Sequence, residues 1–275
     1  MSTFRFFKMD ALGNDYVYVV AELNPNVDFN ELIKATPKIS DRVSGIGSDG
    51  LILVGKENGN IWCRIFNADT SEAETCGNGL RCVARLCYDL GYTKEKNFKI
   101  TLKKTGHIVN AIINTDDISI EMGKAKVGQK ESLNYNGKKI EYVNVSMTNP
   151  HAVVEWSDLT ALDIRKIGPY IETHKNFKNK TNVEFFNLIN ETNIKFRVWE
   201  RGSGETKACG SGACAVFAAL YEQKRCDSKV KIQMPGGSAW VEMSEAGAIY
   251  LTGPVTYVFK GEYSFYTKRQ INIYI

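Results

Sequence analysis

Two cysteines stand at positions where a thiol could exchange protons with a substrate. Cys76 and Cys209 each precede a Gly-x-Gly segment and then an apolar helical pattern, so each is predicted to begin a helix. Unpaired N–H groups and the positive end of the dipole favour a thiolate there, and we expect both thiol pKa values to lie below about 8.5. The same helix ends could hold a carboxylate. Because a base on one face of a carbon and an acid on the other can invert a stereocentre, the pair predicts epimerase or racemase chemistry.

The two cysteines belong to an internal repeat. When Cys76 is aligned with Cys209, the residues before and after them also correspond without gaps. Asn14-Asp15 and Asn149-Pro150-His151 correspond two residues out of this register. The aligned pairs include Arg64/Arg197, Phe66/Trp199, Asn67/Glu200, Glu72/Glu205 and Val83/Val216.

Each repeat has the same predicted order of elements. An alternating strand, at 61–67 and again at 194–198, is followed by a polar loop, by Cys-Gly-x-Gly and by a helix with one apolar face. Most of the remaining chain is strand-like. The sequence therefore predicts an α+β fold of two pseudo-symmetric domains, each a curved, mostly antiparallel sheet or barrel wrapped around a central helix. We assign residues 1–116 to the first half, with the C-terminal strand 255–275 returning to it, and residues 117–254 to the second.

Composition restricts the classes of function. Of the 275 residues, 43% are apolar and 24% charged, which is typical of a globular protein and excludes intrinsic disorder. The net charge of +4 is scattered, which argues against a nucleic-acid partner. The longest apolar run, 213–221, is far short of the roughly 20 residues that span a bilayer. Seven cysteines, an odd number without a zinc-ligand spacing, indicate free thiols and no metal. We expect a soluble, cytoplasmic protein.

Several short motifs carry a resemblance to one family. They are Leu12-Gly-Asn-Asp-Tyr16, Gly45-Ile-Gly-Ser-Asp-Gly50, Phe66-Asn-Ala-Asp69, Cys76-Gly-Asn-Gly79, Thr148-Asn-Pro-His151, Glu200-Arg-Gly-Ser-Gly-Glu205, Ala208-Cys-Gly-Ser-Gly212 and Pro235-Gly-Gly237. In this order, from about residue 8 to about residue 262, they resemble diaminopimelate epimerase. The resemblance implies a cofactor-independent isomerase that interconverts LL- and meso-2,6-diaminopimelate for lysine and, in bacteria, cell-wall synthesis. It also implies a homodimer of two-domain chains with the site between the domains.

The resemblance assigns a role to each matching position. Cys76 and Cys209 match the two proton-transfer residues, and His151 and Glu200 match the groups that assist them near the substrate ammonium. The positions matching the helix-end contacts to the reacting carboxylate are Gly77, Asn78, Gly210 and Ser211. The positions matching contacts to the rest of the substrate are Asn14, Asn67, Asn149, Asn182, Glu200 and Arg201.

One position departs from the family pattern. Where some members carry Gln, this chain has Gly50, which leaves Ser48, Asp49 or the loop backbone to make that contact. Arg201 fits the family's substrate, because a guanidinium can grip a distal carboxylate with two hydrogen bonds.

Other interpretations account for less of the sequence. A proline- or hydroxyproline-type racemase usually has His after the first Cys-Gly, where this chain has Asn78, and does not need the grip of Arg201. A relative with another isomerase activity would lack one or both thiols. A thiol redox or metal-storage protein leaves the repeat unexplained. Taken singly, His151 could be a structural histidine, and Glu200-Arg201 a surface ion pair.

Overall fold

The structure, a computed structural model, describes residues 2–265 and consists mostly of strands. Eighteen strands form one continuous hydrogen-bonded sheet. The strands are β1 Ser2–Ala11, β2 Asn14–Val20, β3 Gly50–Glu57, β4 Asn60–Asn67, β5 Glu72–Ala73, β6 Asn97–Leu102, β7 His107–Ile113, β8 Ile118–Gly123, β9 Lys126–Tyr135, β10 Lys138–Ser146, β11 Pro150–Glu155, β12 Asn182–Asn190, β13 Asn193–Glu200, β14 Gly204–Thr206, β15 Lys229–Met234, β16 Gly237–Met243, β17 Ile249–Gly253 and β18 Thr256–Phe265.

Two long helices lie inside the sheet, and shorter ones lie outside it. A 3-10 turn covers Ala21–Leu23. The α-helices are α1 Phe29–Lys34, α2 Thr36–Ser40, α3 Gly77–Asp89, α4 Ile164–Glu172 and α5 Gly210–Glu222. None of the helices described within residues 2–265 has the length and apolar character of a membrane span.

The internal repeat of the sequence is a repeat of topology. In the first half β2 runs parallel to β3 and β4 parallel to β6, and in the second half β11 runs parallel to β12 and β13 parallel to β15. The remaining pairings are antiparallel in both halves. β1 lies between β2 and β18, as β10 lies between β11 and β9. The predicted α+β fold of two similar halves is confirmed.

Each half builds its core around its long helix. One cluster of buried apolar side chains contains Leu80, Val83 and Leu86 of α3, and another contains Val216 and Leu220 of α5. Almost all residues of both helices are buried, because strands cover each helix on several sides. Burial of this apolar area at about 25 cal/mol per Å² is the main stabilising contribution, and it holds both helix axes rigidly.

Strands β8 and β17 connect the halves. They pair with each other, and β8 also pairs with β7 of the first half while β17 pairs with β16 of the second. Ile118 and Ile120 of β8 pack in the cluster around α3. The sequence-based boundary at 116/117 precedes this strand and remains a prediction. Of the returning segment 255–275, the part up to residue 265 is described, as β18 paired with β1, and residues 266–275 lie outside the described chain.

Candidate active site

Each long helix begins at one of the two predicted thiols. Cys76 and Cys209 are the N-cap residues of α3 and α5, and both have the extended backbone typical of a cap. The amide of Gly79 donates to Cys76 Sγ at 3.4 Å, so this sulfur takes the place of a capping oxygen. Since the glycines that follow each cysteine are helical residues, their N–H groups point out of the helix beside the thiol.

The N-termini of α3 and α5 approach each other at two glycines, Gly77 and Gly210. A Cβ added at Gly210 would lie 3.7 Å from Gly77 Cα and 2.8 Å from Leu251 Cδ2, and one added at Gly77 would lie 2.9 Å from Met122 Sδ. A larger residue at Gly77 or Gly210 would therefore displace the side chains of Met122 and Leu251, which pack against the two helix ends. The positive ends of two dipoles thus converge on one place, which suits a carboxylate.

A cleft of about 1180 Å³ opens above this meeting point. It is lined by residues of both halves, and the structure brings all the sequence-predicted site residues except His151 to its wall. These are Cys76, Cys209, Glu200, Asn14, Asn67, Gly77, Asn78, Asn149, Asn182, Arg201, Gly210 and Ser211. Val258 and Phe259 of β18 also reach its edge.

The hydrogen-bond partners of Cys76 are polar but uncharged. Its thiol donates to Asn14 Oδ1 at 3.4 Å, and the Tyr16 hydroxyl donates a hydrogen bond toward the sulfur. Asn14 is held in turn by Asp49 Oδ2, which accepts from its Nδ2 at 2.7 Å. The Asp49 carboxylate therefore orients the amide that contacts this thiol.

Acidic groups surround Cys209. Its sulfur lies 3.6 Å from Ser211 Oγ, and Glu200 and Glu184 both act on it electrostatically. The Glu200 carboxylate accepts a hydrogen bond from Thr206 Oγ1. Burial raises the pKa of Glu200, and its hydrogen bonds to Thr206 and Cys209 act in the opposite direction.

His151 lies behind the wall of the cleft. It is only 1% exposed, and its Nε2 is 2.9 Å from Oδ1 of Asn149, which does line the cleft. Asn149 Nδ2 reaches Ser211 Oγ at 3.4 Å. His151 is thus connected to the Cys209 side of the cleft through Asn149 and Ser211.

Hydrogen bonds within the fold position the remaining predicted substrate contacts, which are Asn182, Arg201 and Asn67. Asn182 Oδ1 accepts from the Arg201 amide at 2.9 Å, while the exposed guanidinium of Arg201 bonds Asn179 O at 3.2 Å. Asn67 Nδ2 donates to Ser71 Oγ at 2.9 Å. These bonds position polar ends around the cleft while leaving the Arg201 side chain available to a ligand.

The structure has no room for a side chain at the position that departs from the family pattern. A Cβ on Gly50 would overlap the carbonyl oxygen of Phe66. Of the predicted replacements, Ser48 uses its hydroxyl within the fold, on Ser40 Oγ at 3.0 Å and Gly50 O at 2.9 Å. Asp49 lines the cleft, and its Oδ1 lies 2.9 Å from Arg42 Nη2.

Three residues near the thiols escaped the sequence analysis. Arg81 of α3 is fully buried and donates from Nη2 to Asn78 Oδ1 at 2.9 Å, with Nε and Nη1 unpaired within the described chain. Glu184 is buried against His151, and Tyr16 is buried beside Cys76. An arginine among the apolar positions of a helix, and a glutamate inside the apolar run of β12, were the available signals.

The expectation of lowered thiol pKa values is wrong for this structure. Burial raises the pKa of Cys76, against the opposing effects of the Gly79 amide and Tyr16. Burial, together with Glu200 and Glu184, raises the pKa of Cys209 well above its ordinary value. Desolvation therefore outweighs the helix ends, and Cys76 is the easier of the two thiols to ionise.

The other five cysteines ionise less readily than an ordinary thiol. Burial raises the pKa of Cys82, Cys87 and Cys214 to about 12, and that of Cys226 to about 11. Burial also raises the pKa of Cys63. Cys63 and Cys87 are core residues, packed in the cluster around α3.

Solved structures with the same architecture define the class of protein. The Bacillus anthracis phenazine biosynthesis protein of the PhzF family superposes with a TM-score of 0.73 at 16% identity, covering 96% of this chain and 100% of that one. A hydroxyproline epimerase from Agrobacterium vitis superposes with a TM-score of 0.70 at 12% identity, covering 96% and 91%. At these identities the likeness shows the fold alone, a fold shared with epimerases.

Sequence comparison identifies the family within this class. A family model for diaminopimelate epimerase matches residues 6–128 and 143–258. Diaminopimelate epimerases from Bacillus cytotoxicus and Carboxydothermus hydrogenoformans are 36% and 38% identical, covering 96% and 94% of this chain and 99% of each relative. That of Methanococcus maripaludis is 38% identical over 94% of this chain. The chain belongs to the diaminopimelate epimerase family, and it is an isomerase.

The raised thiol pKa values predict how activity depends on pH. In a two-thiol mechanism turnover needs one thiolate and one thiol, and near pH 7 both Cys76 and Cys209 are mostly protonated because both pKa values are raised. As pH rises, Cys76 ionises before Cys209. The value of kcat/KM should therefore still be increasing at about pH 8.5, the ordinary pKa of a thiol, and should fall once Cys209 also ionises. Initial rates across the pH range measure this profile. Maximal activity at acid pH with a decline before pH 8 would contradict it.

Proposed function

We propose that the protein interconverts LL- and meso-2,6-diaminopimelate, a step of lysine biosynthesis, by proton transfer between Cys76 and Cys209. The observation that carries the proposal is the pair of thiols at the ends of two helices that meet in one cleft. One sulfur removes the α-proton from one face of the carbon, and the other delivers a proton to the opposite face. Because acid and base are both side chains, the reaction calls for no cofactor.

In this proposal the helix ends bind the reacting carboxylate. Amides at Gly77, Asn78, Gly210 and Ser211 lie at the cleft wall where the dipoles converge. As the α-carbon loses its proton, negative charge spreads into this carboxylate. Donors fixed by the fold stabilise that charge without reorganising, which lowers the barrier.

Two further groups assist the thiols. The Glu200 carboxylate lies beside Cys209, and we assign it to the substrate's α-ammonium, which it can both attract and orient. His151 acts from behind Asn149 on the same side. Within residues 2–265 no carboxylate is hydrogen-bonded to Cys76, so we assign Cys76 as the thiol that ionises first.

The opposite end of the substrate carries a second carboxylate and a second ammonium. We assign the distal carboxylate to the guanidinium of Arg201 and the amides of Asn67 and Asn182. We assign the distal ammonium to the side-chain oxygens of Asn14 and Asn149, which can accept hydrogen bonds from it. We assign to Asp49, which holds Asn14, the contact that some family members make with Gln at the position of Gly50.

The working unit in this proposal is a homodimer in the cytoplasm. Tyr257, Val258 and Phe259 of β18 are 41%, 52% and 47% exposed, an apolar patch on a strand whose described pairing is with β1 alone. An exposed apolar sheet edge favours pairing with another chain. A reducing compartment would also keep the two thiols free.

Replacing either thiol tests the proposed mechanism. Cys76→Ala and Cys209→Ala should each lower epimerisation by at least about 10³-fold, since a positioned acid or base typically contributes 10²–10⁴. Cys226→Ala is the matched control, because Cys226 lies at the far end of α5. Its kcat should be close to that of the wild type. If either active-site variant kept more than a tenth of wild-type turnover while melting normally, the two-thiol mechanism would be wrong.

The proposed dimer contact can be tested by charge insertion. Wild-type protein at micromolar concentration should sediment with twice the 30.8 kDa of one chain, and Val258→Asp should shift it toward the monomer because a buried unpaired charge is costly. Ile108→Asp, at a residue 55% exposed on β7, should remain dimeric. A wild-type monomer, or dimers unaffected by Val258→Asp, would remove this interface.

A further inference from the structure

A buried contact between Glu184 and His151 lies behind the part of the cleft wall that contains Cys209. Glu184 Oε1 lies 2.7 Å from His151 Nδ1, and both side chains are 0% exposed. A carboxylate oxygen and an amide oxygen both only accept hydrogen bonds, so Nδ1 donates to Glu184 and Nε2 donates to Asn149 Oδ1. Glu184 is absent from the cleft wall, so it does not reach a ligand there.

The first half shows that the fold does not require this pair. β2 and β3 align Tyr18 with Ile52 in the same register in which β11 and β12 align Val153 with Glu184. At the corresponding helix turn, an added Cβ on Gly79 would meet Ile52 Cδ1 at 2.7 Å. An apolar residue therefore fills this place in one half, and a glutamate fills it in the other.

Glu184 also packs against the first turn of α5, the helix that begins at Cys209. An added Cβ on Gly212 would lie 2.8 Å from Glu184 Oε1 and 3.4 Å from Cys209 Cβ. The second carboxylate oxygen, Oε2, is buried without a hydrogen-bond partner within the described chain. A buried carboxylate oxygen without a hydrogen-bond partner destabilises the folded protein. Residues that carry such a cost are often retained because they serve the function.

We propose that Glu184 is a positioning residue for proton transfer at Cys209. By accepting from Nδ1 it fixes the ring of His151, which holds Asn149, and Asn149 reaches Ser211 beside the thiol. The groups facing Glu184 are His151 on β11, Glu200 on β13 and Cys209 at the start of α5. The inference rests on the roles proposed above for His151 and Cys209.

A double-mutant cycle tests this inference. Glu184→Gln keeps the shape and removes the charge, and it should lower kcat for LL-diaminopimelate by about 10-fold or more with KM changed less than about twofold, because Glu184 contacts no substrate. In a His151→Gln background the same substitution should change kcat by less than about twofold, since residues acting through one another are not additive. A merely structural role would reduce kcat equally in both backgrounds.

Controls separate the possible failures. Glu172→Gln removes another buried carboxylate, bonded to Trp199 and Gly202, and should keep kcat within about twofold. If the Glu184→Gln variant does not fold, Glu184→Asp replaces it in the double-mutant cycle with His151→Gln. Normal kcat for the Glu184 variant, or equal losses in both backgrounds, would overturn the inference. If instead His151→Gln retained wild-type turnover, the proposed role of His151 would fail.

Discussion

The site depends on the close approach of two helix N-termini across glycine backbone. Gly77 and Gly210 let the two helix ends approach each other, with the side chains of Met122 and Leu251 packed against them, and the residues that cap the helices line the same cleft. The surrounding strands bury ten of the thirteen residues of each helix, which fixes both helix axes. Two thiols and the helix-end amides therefore converge in one cleft.

The duplicated fold carries unequal chemistry in its two halves. Tyr16 and His151 occupy corresponding strand positions, as do Ile52 and Glu184. The hydrogen-bond partners of Cys76 are neutral, whereas Glu200 and Glu184 both oppose the ionisation of Cys209, whose pKa is the more strongly raised of the two. A symmetric scaffold can place acid and base on opposite faces of a carbon, and this asymmetry decides which thiol ionises first.

The sequence predicted the parts of this account that depend on local pattern. The helix starts, the repeated strands and the cleft residues follow from glycine spacing, alternation and the family motifs. The short helices α1 and α2 were missed because five or six residues carry little periodicity. Helix α4 was missed although Ile164, Ile167 and Ile171 have helical spacing, because Pro169 inside it argues against a helix. The direction of the thiol pKa shifts was wrong, and Glu184 was missed, because burial arises from strands distant in sequence.

The central claim is that two different groups carry protons on opposite faces of one α-carbon. Epimerisation of LL-diaminopimelate in heavy water, analysed at low conversion by mass spectrometry and NMR, tests it most directly. The account predicts that the product carries one deuterium at the inverted carbon while the recovered substrate carries none, because the second thiol has exchanged with solvent and the first returns the original proton. Product that retains protium, or substrate that gains deuterium as fast as product forms, would contradict the account and indicate a single base.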